Sequence, residues 1–282
     1  MIIFSKMQAC GNDFILIDCV KDYPKYNFSI LSKFLCDRHF GVGADGVIFF
    51  YSSKIADAKM RIFNSDGTEA EMCGNGIRCL SKLLYDKEYI KSKEFKIETL
   101  GGVKKIKLEI ENDKIIKIHV NMGRAIFTPS SIPVYLPNNN PKEEVQNLEI
   151  DYKNRIFSFY PVTVGNPHAI CFVNSFDDFN FEHVGKYVEN YKYFPKKTNV
   201  EFAKIENSKK IKLKVWERGA GKTLGCGTGA IATASVAMKK LYTDSEIIVE
   251  LDGGNVEVKE ENGEYYLIGD AEFVYEGKLK NL

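Results

Sequence analysis

The second half of this 282-residue chain repeats landmarks of the first at a nearly constant distance, and that repeat constrains the fold more than any other feature. Gly11-Asn12 recurs 154 residues later as Gly165-Asn166, and Cys73-Gly-Asn-Gly76 recurs 153 later as Cys226-Gly-Thr-Gly229. Asn64 is matched at 153 by Glu217, and Gly101-Gly102 at 152 by Gly253-Gly254, each glycine pair leading into an alternating run of lysine and β-branched residues. Each copy reads as short alternating strands, one buried helix directly after C-G-x-G, then more strands. Chains longer than roughly 100–200 residues commonly divide into more than one compact unit. The expected fold is therefore α/β of the α+β kind: two pseudo-symmetric lobes, each a curved, mostly antiparallel sheet wrapped around a central helix.

The two central helices differ in pattern. In the first copy Ile77, Leu80, Leu83 and Leu84 recur at helical spacing; in the second, residues 228–240 (TGAIATASVAMKK) are small and apolar on nearly every face, which suits a helix enclosed by strands. A further helix is expected from Ser29 to His39 with Ile30, Phe34 and Leu35 on one face. The proline- and asparagine-rich stretch Thr128 to Pro141 (TPSSIPVYLPNNNP) reads as loop. The N-terminal lobe is set at 1–125, carrying Cys73 and completed by a strand at 270–282; the C-terminal lobe, 126–269, carries Cys226.

Composition excludes several classes of function. Lys and Arg number 39 against 38 Asp and Glu, interleaved along the chain, so no basic footprint for nucleic acid or an anionic membrane exists. No apolar run reaches the roughly 18–20 residues of a membrane helix, and the start MIIFSKMQACGND lacks a cleavable signal pattern, which points to the cytoplasm. Seven cysteines with no C-x-x-C pair read as thiols, and four histidines, none near a cysteine pair at ligand spacing, give no zinc site. The expected partner is a small-molecule substrate, with no metal and no cofactor; a homodimer stays open.

Two motifs are decoys. Gly41-Val-Gly-Ala-Asp-Gly46 has the letters of a dinucleotide fingerprint, but a helix precedes it and a strand follows, the reverse of the required order. Gly219-Ala-Gly-Lys-Thr223 imitates the end of a phosphate loop, yet Trp216 stands where its first glycine belongs.

Cys73 and Cys226 carry the chemistry. Each precedes a glycine-rich helix start, where unpaired N–H groups and the positive end of the helix dipole favour an anion. A thiol near pKa 8.5 is expected to drop there by about a unit or more. The same N–H groups can bind a carboxylate, and glycine lets the backbone approach it. If the pseudo-twofold sets the two helix starts face to face, two thiols flank one α-carbon, and one removes a proton while the other returns one.

The chain resembles diaminopimelate epimerase over nearly its whole length, through FSKMQACGNDFILID, RHFGVGADGVI, RIFNSDGTEAEMCGNGIRC, VGNPHAICFV, TNVEF and VWERGAGKTLGCGTGA. The resemblance implies cofactor-independent interconversion of LL- and meso-diaminopimelate in lysine and cell-wall precursor biosynthesis, with Cys73 and Cys226 as acid and base. It implies Gly74, Asn75, Gly227 and Thr228 as the carboxylate cradle, and Asn12, Asn64, Asn166, Asn199, Glu217 and Arg218 as substrate-binding residues. His168 and Glu217 are similar to the residues that tune the thiols. Gly46 stands where some members of the family place a glutamine, and Lys197, Lys222 and Gly225 stand where arginine, glutamate and alanine are usual.

Plainer readings compete at some positions. Cys10, Cys19, Cys36, Cys79 and Cys171 are expected to be buried small hydrophobes, and His39, His119 and His183 structural. Asn64 in NSDGTE also suits an Asx turn, and His168 a satisfied core histidine. Other functions compatible with the residues are a racemase of proline, hydroxyproline or histidine type, a thiol redox enzyme, and a noncatalytic ligand-binding module.

Overall fold

A computed structural model of the chain describes residues 1–20, 26–136, 140 and 142–280. It divides into two compact units, Met1–Asn121 with Ile268–Leu282, and Met122–Leu267.

In the first unit the order is β1 (Ile2–Ala9), β2 (Asn12–Asp18), α1 (Phe28–Cys36), β3 (Gly46–Tyr51), β4 (Ala58–Asn64), β5 (Glu69–Ala70), α2 (Gly74–Asp86), β6 (Glu94–Thr99), β7 (Gly102–Glu111) and β8 (Lys114–Gly123). The second unit repeats it with β9 (Leu148–Tyr152), β10 (Arg155–Thr163), β11 (Pro167–Phe172), α3 (Phe181–Glu189), β12 (Asn199–Asn207), β13 (Lys210–Glu217), β14 (Gly221–Lys222), α4 (Gly227–Lys239), β15 (Glu246–Leu251), β16 (Gly254–Glu261) and β17 (Glu264–Gly269). The chain then returns as β18 (Glu272–Leu279), which pairs antiparallel with β1.

Strand pairing repeats as the sequence does. Most ladders are antiparallel, but β2–β3 and β4–β6 are parallel in the first unit, and β11–β12 and β13–β15 are parallel in the second. Each parallel pair is bridged by a helix, as a parallel connection requires. Phe14 sits opposite Gly46 in one copy and His168 opposite Asn199 in the other, so the repeat holds to the level of register.

Both central helices pack inside their own sheets, α2 on β1, β2, β3 and β18, and α4 on β10, β11, β12, β15 and β16. Ile77, Leu80, Leu83 and Leu84 are all buried. The alanine-rich α4 is buried almost all round from Gly227 to Ala237, because only small side chains let strands close on a helix from several sides. Among the described residues no helix is long and apolar enough to cross a membrane.

Helix α1 corrects one expectation. Asn27 caps it by accepting from the Ile30 N–H, and Asp37 ends it by accepting from the N–H groups of His39 and Phe40. Its buried residues are Phe28, Leu31, Ser32, Leu35 and Cys36, whereas Ile30 is 68% and Phe34 42% exposed. The i, i+3, i+4, i+7, i+8 stripe counted from Phe28 decides the buried face, and a register begun at Ser29 picks the wrong one. Phe28 then stacks on Phe49 with ring centroids 4.3 Å apart.

In the stretch expected as loop, residues 137–139 and 141 lie outside the described residues. Residues 128–136 form turns without helix or strand, yet Ile132 and Val134 are buried in the core of the second unit. Neither decoy opens a helix: Gly41–Gly46 joins α1 to β3, and Gly219–Thr223 covers the end of the turn after β13 and the short β14 that pairs with it, with Gly219 and Gly221 both at φ +80°.

Candidate active site

In the first unit Cys73 is the N-cap of α2. Its extended backbone (φ −139°, ψ 122°) turns Sγ back over the helix start, where it accepts from the Gly76 N–H at 3.5 Å. Asn12 Oδ1 lies 3.8 Å from this sulfur and also accepts from Asn75 Nδ2 at 3.4 Å. Asn12 is itself oriented by donating to Asp45 Oδ2 at 2.8 Å. Behind it Arg38 links Asp45 and Asp13, and Lys6 bonds Asp13 and the Gly43 carbonyl. Burial raises the Asp13 carboxyl, but hydrogen bonds and charge from Arg38 and Lys6 outweigh it and hold it at about 2.

Asn75 is anchored from the other side by Arg78, which also donates to the Asp270 carbonyl at 3.1 Å and lies 3.5 Å from Cys10 Sγ. This arginine is completely buried, and its Nη1 has no hydrogen-bond partner. Asn64, at the exposed end of β4, donates to Thr68 Oγ1 at 3.0 Å within a tight turn, so its local bonding is that of a turn residue.

In the second unit Cys226 caps α4 in the same way, with φ −120° and ψ 111°, accepting from the Gly229 N–H at 3.4 Å. Thr228 Oγ1 is 3.3 Å from its sulfur and accepts from Asn166 Nδ2 at 3.3 Å. Asn166 Oδ1 meets His168 Nε2 at 2.9 Å, and His168 Nδ1 meets Glu201 Oε1 at 2.7 Å. Glu217 receives hydrogen bonds from Thr223, at 2.6 Å, and from Cys226. Asn199 is buried, donating to the Pro167 carbonyl and accepting from the Arg218 N–H, both at 2.9 Å. The exposed Arg218 guanidinium donates to the Lys196 carbonyl at 3.3 Å.

The lowered thiol expected at the second helix start is not what this environment produces. Burial pushes the Cys226 thiol well up, and an ionised Glu217 or Glu201 would add to the rise, while the Thr228 and Gly229 hydrogen bonds oppose it only in part. Desolvation of a nearly sealed sulfur (5% exposed) outweighs the helix-start donors. Burial also raises Glu217 and Glu201. The other expected small hydrophobes, Cys10, Cys19, Cys36, Cys79 and Cys171, are all buried, and Cys73 is half-buried.

The diaminopimelate epimerase family profile matches residues 4–128 and 160–274, spanning both cysteine caps. The chain belongs to the diaminopimelate epimerase family. A diaminopimelate epimerase of Methanococcus maripaludis is 42% identical over 278 residues, covering 98% of this chain and 99% of that one. That of Methanocaldococcus jannaschii is 43% identical, covering 99% of each, and that of Desulfitobacterium hafniense 39%, covering 97% and 96%. Among solved structures, a hydroxyproline epimerase from Agrobacterium vitis superposes with a TM-score of 0.71 over 99% of this chain and 90% of its own, at 12% identity. A phenazine biosynthesis protein of the PhzF family from Bacillus anthracis gives 0.66 over 99% of each chain, at 18%. At those identities the likeness is one of fold.

Within this epimerase family member, sequence reasoning passed over two buried ionisable residues, Arg78 and Glu201. The repeat could have exposed both. At the 153-residue offset Arg78 is matched by Ile231 and Glu201 by Ile48, so each occupies a position that is apolar in the other copy. Three of the four positions expected to depart from the family pattern have local accounts. A Cβ on Gly46 would come within 2.9 Å of the Phe63 carbonyl oxygen, leaving no room for a longer side chain without backbone movement. Lys222 faces Glu182 at 3.4 Å and Lys197 faces Glu189 at 3.6 Å.

Proposed function

We propose that this epimerase-family chain interconverts LL- and meso-diaminopimelate, with Cys73 and Cys226 as paired acid and base at one α-carbon. The observation that carries the reading is the repeated cap: two cysteines 153 residues apart, each with its sulfur over the first turn of a central helix. A cysteine kept only for packing has no need of that placement twice.

The proposed roles follow from local chemistry. N–H groups at Gly74, Asn75, Gly227 and Thr228 hold the substrate carboxylate and receive the charge that develops when the α-proton leaves, supplying preorganised electrostatic stabilisation. Such stabilisation is needed because an amino-acid α-proton is far less acidic than a thiol. Cys226, kept neutral by burial, is the resting acid; Cys73 is then the base, and the roles exchange in the reverse direction. His168 and Glu217 tune this protonation. Asn12, Asn64, Asn166, Asn199 and Arg218 fix the distal amino and carboxylate groups, where a planar guanidinium fork suits a carboxylate. Two working thiols also favour the reducing cytoplasm.

Early turnover in deuterated water tests the two-thiol mechanism. A thiol equilibrated with solvent returns a deuteron to the face opposite the one deprotonated, so the product epimer should be labelled while recovered substrate stays largely unlabelled. Cys73→Ala and Cys226→Ala should each abolish epimerisation. Equal early labelling of both epimers, or substantial epimerisation by either variant, would mean that one base serves both faces.

A further inference from the structure

We propose that Glu201 is a positioning residue held as an un-ionised carboxylic acid, donating its proton to Nδ1 of His168 and locking that ring as the neutral Nε2–H tautomer beside Cys226. The inference rests on the reading that Cys226 is one of the reacting thiols.

The hydrogen-bond chain sets the ring's protons. Asn166 donates through Nδ2 to Thr228, which turns its Oδ1 toward His168 Nε2 at 2.9 Å. That oxygen can only accept, so Nε2 carries a hydrogen. One proton is left for the 2.7 Å contact between Nδ1 and Glu201 Oε1, and it sits either on nitrogen, as an ion pair, or on oxygen, as a neutral pair. Both side chains are completely buried, and Glu201 Oε2 has no hydrogen-bond partner. An ionised carboxylate has about four lone-pair sites to satisfy and a desolvation cost of several kcal/mol per ion. With one oxygen unpartnered, the ion pair lacks the extra bonds that offset this cost. The neutral pair leaves only a carbonyl-type oxygen unsatisfied.

The surroundings act in the same direction. The titratable groups acting on Glu201 and on the thiol above it are His168 on β11, Glu217 on β13 and Cys226 at the cap of α4. A charge on Glu201 would push both Glu217 and Cys226 further up, and burial pushes Glu201 itself up. Helix α4 closes the space: a Cβ on Gly229 would stand 2.7 Å from Oε1. The matched position in the first copy is Ile48, whose Cδ1 comes equally near a Cβ on Gly76, at 2.9 Å. The fold thus accepts an aliphatic side chain in this niche. The acid therefore serves the His168–Asn166–Thr228 chain, fixing Thr228 at the sulfur without adding a charge that would oppose a thiolate there.

The test combines ¹⁵N-histidine NMR with two variants of the full chain. His168 should appear as the neutral Nε2–H tautomer, and Glu201→Gln, whose amide N–H can still donate to Nδ1, should preserve that spectrum. Glu201→Gln should also keep kcat within about threefold with an unchanged pH profile, whereas Glu201→Leu should lower kcat about tenfold or more with KM little changed, since the ring loses its orienting donor. An imidazolium signal in the wild type at pH 7, a Gln variant as impaired as the Leu variant, or a Leu variant as active as wild type would each overturn the proposal. Should the Leu variant not fold, the ring spectrum and the Gln variant still decide. Absence of diaminopimelate epimerisation by the wild type would overturn the functional reading instead, because the spectrum reports the ring without substrate.

Discussion

Replacing Arg78 by methionine should loosen the first unit selectively. Methionine retains most of the length and packing of the side chain, so the loss falls on polar contacts. The Asp270 carbonyl, just before β18, and Asn75 Oδ1, at the start of α2, each lose a charged donor, at 3.1 and 3.0 Å. A hydrogen bond from a charged group contributes about 1.5–3 kcal/mol, so two give about 3–6 kcal/mol. The variant also no longer buries a guanidinium whose Nη1 is unsatisfied, which offsets part of that loss. The net expectation is a destabilisation of about 2–3 kcal/mol, which in the exchange-competent opening of this region is roughly 30–150-fold. Native-state hydrogen exchange is the assay, because it resolves units that a single denaturation midpoint averages. Amides of α2 and β18 should lose that much protection while those of α4 and β12 keep theirs. Unchanged protection in β18, or an equal loss in both units, would refute the assignment of Arg78 as the tie between the returning strand and the cysteine-bearing helix.

Two further outcomes follow from the charges. Because Asp13 is depressed to about 2 against roughly 3.9 in an unfolded chain, it contributes stability that is full above about pH 4 and lost as pH falls through 2. Arg38 is more than half exposed, so the contribution is about 1–2 kcal/mol; Asp13→Asn should flatten the loss of stability between pH 5 and 2 by that amount, and a parallel pair of stability curves would rule it out. Arg218→Lys keeps the charge but loses the planar fork, so KM for diaminopimelate should rise several-fold; unchanged kinetics would remove Arg218 from distal carboxylate recognition.

The repeat made much of the fold legible, since equal spacing of glycines, cysteines and apolar runs leaves few alternatives once two copies are recognised. Helices α2 and α4 begin where C-G-x-G predicts, because a residue that caps and a glycine that follows are local signals. The face of α1 was not legible from Ile30 and Phe34, since a nine-residue helix with apolar residues on several sides leaves the choice to tertiary packing. The burial of Ile132 inside an otherwise loop-like stretch was hidden for the same reason. At the candidate site the cysteines and their asparagine neighbours stood out through repetition, whereas Arg78 and Glu201 emerge only when the repeat is searched for mismatches rather than matches. The rise at Cys226 was not legible either: helix-start stabilisation is visible in sequence, but desolvation depends on what closes over the sulfur.

These breaks in the repeat bear on how duplicated backbones acquire distinct chemistry. Each central helix offers the same cap, with the sulfur 3.5 or 3.4 Å from the N–H three residues on. What differs is the charge placed beside it. The first copy buries a cation, Arg78, against Asn75, where the second has Ile231; the second buries Glu201 and sets the half-buried Glu217 nearby, where the first has Ile48 and Asn64. Burial and the neighbouring Glu217 raise the cost of a thiolate at Cys226. An acid and a base working as a pair must begin a turnover in opposite protonation states, which identical surroundings would not favour. On the two-thiol mechanism proposed above, the matched caps would supply donors for a carboxylate, and the unequal surroundings would set which cap starts as thiolate and which as thiol.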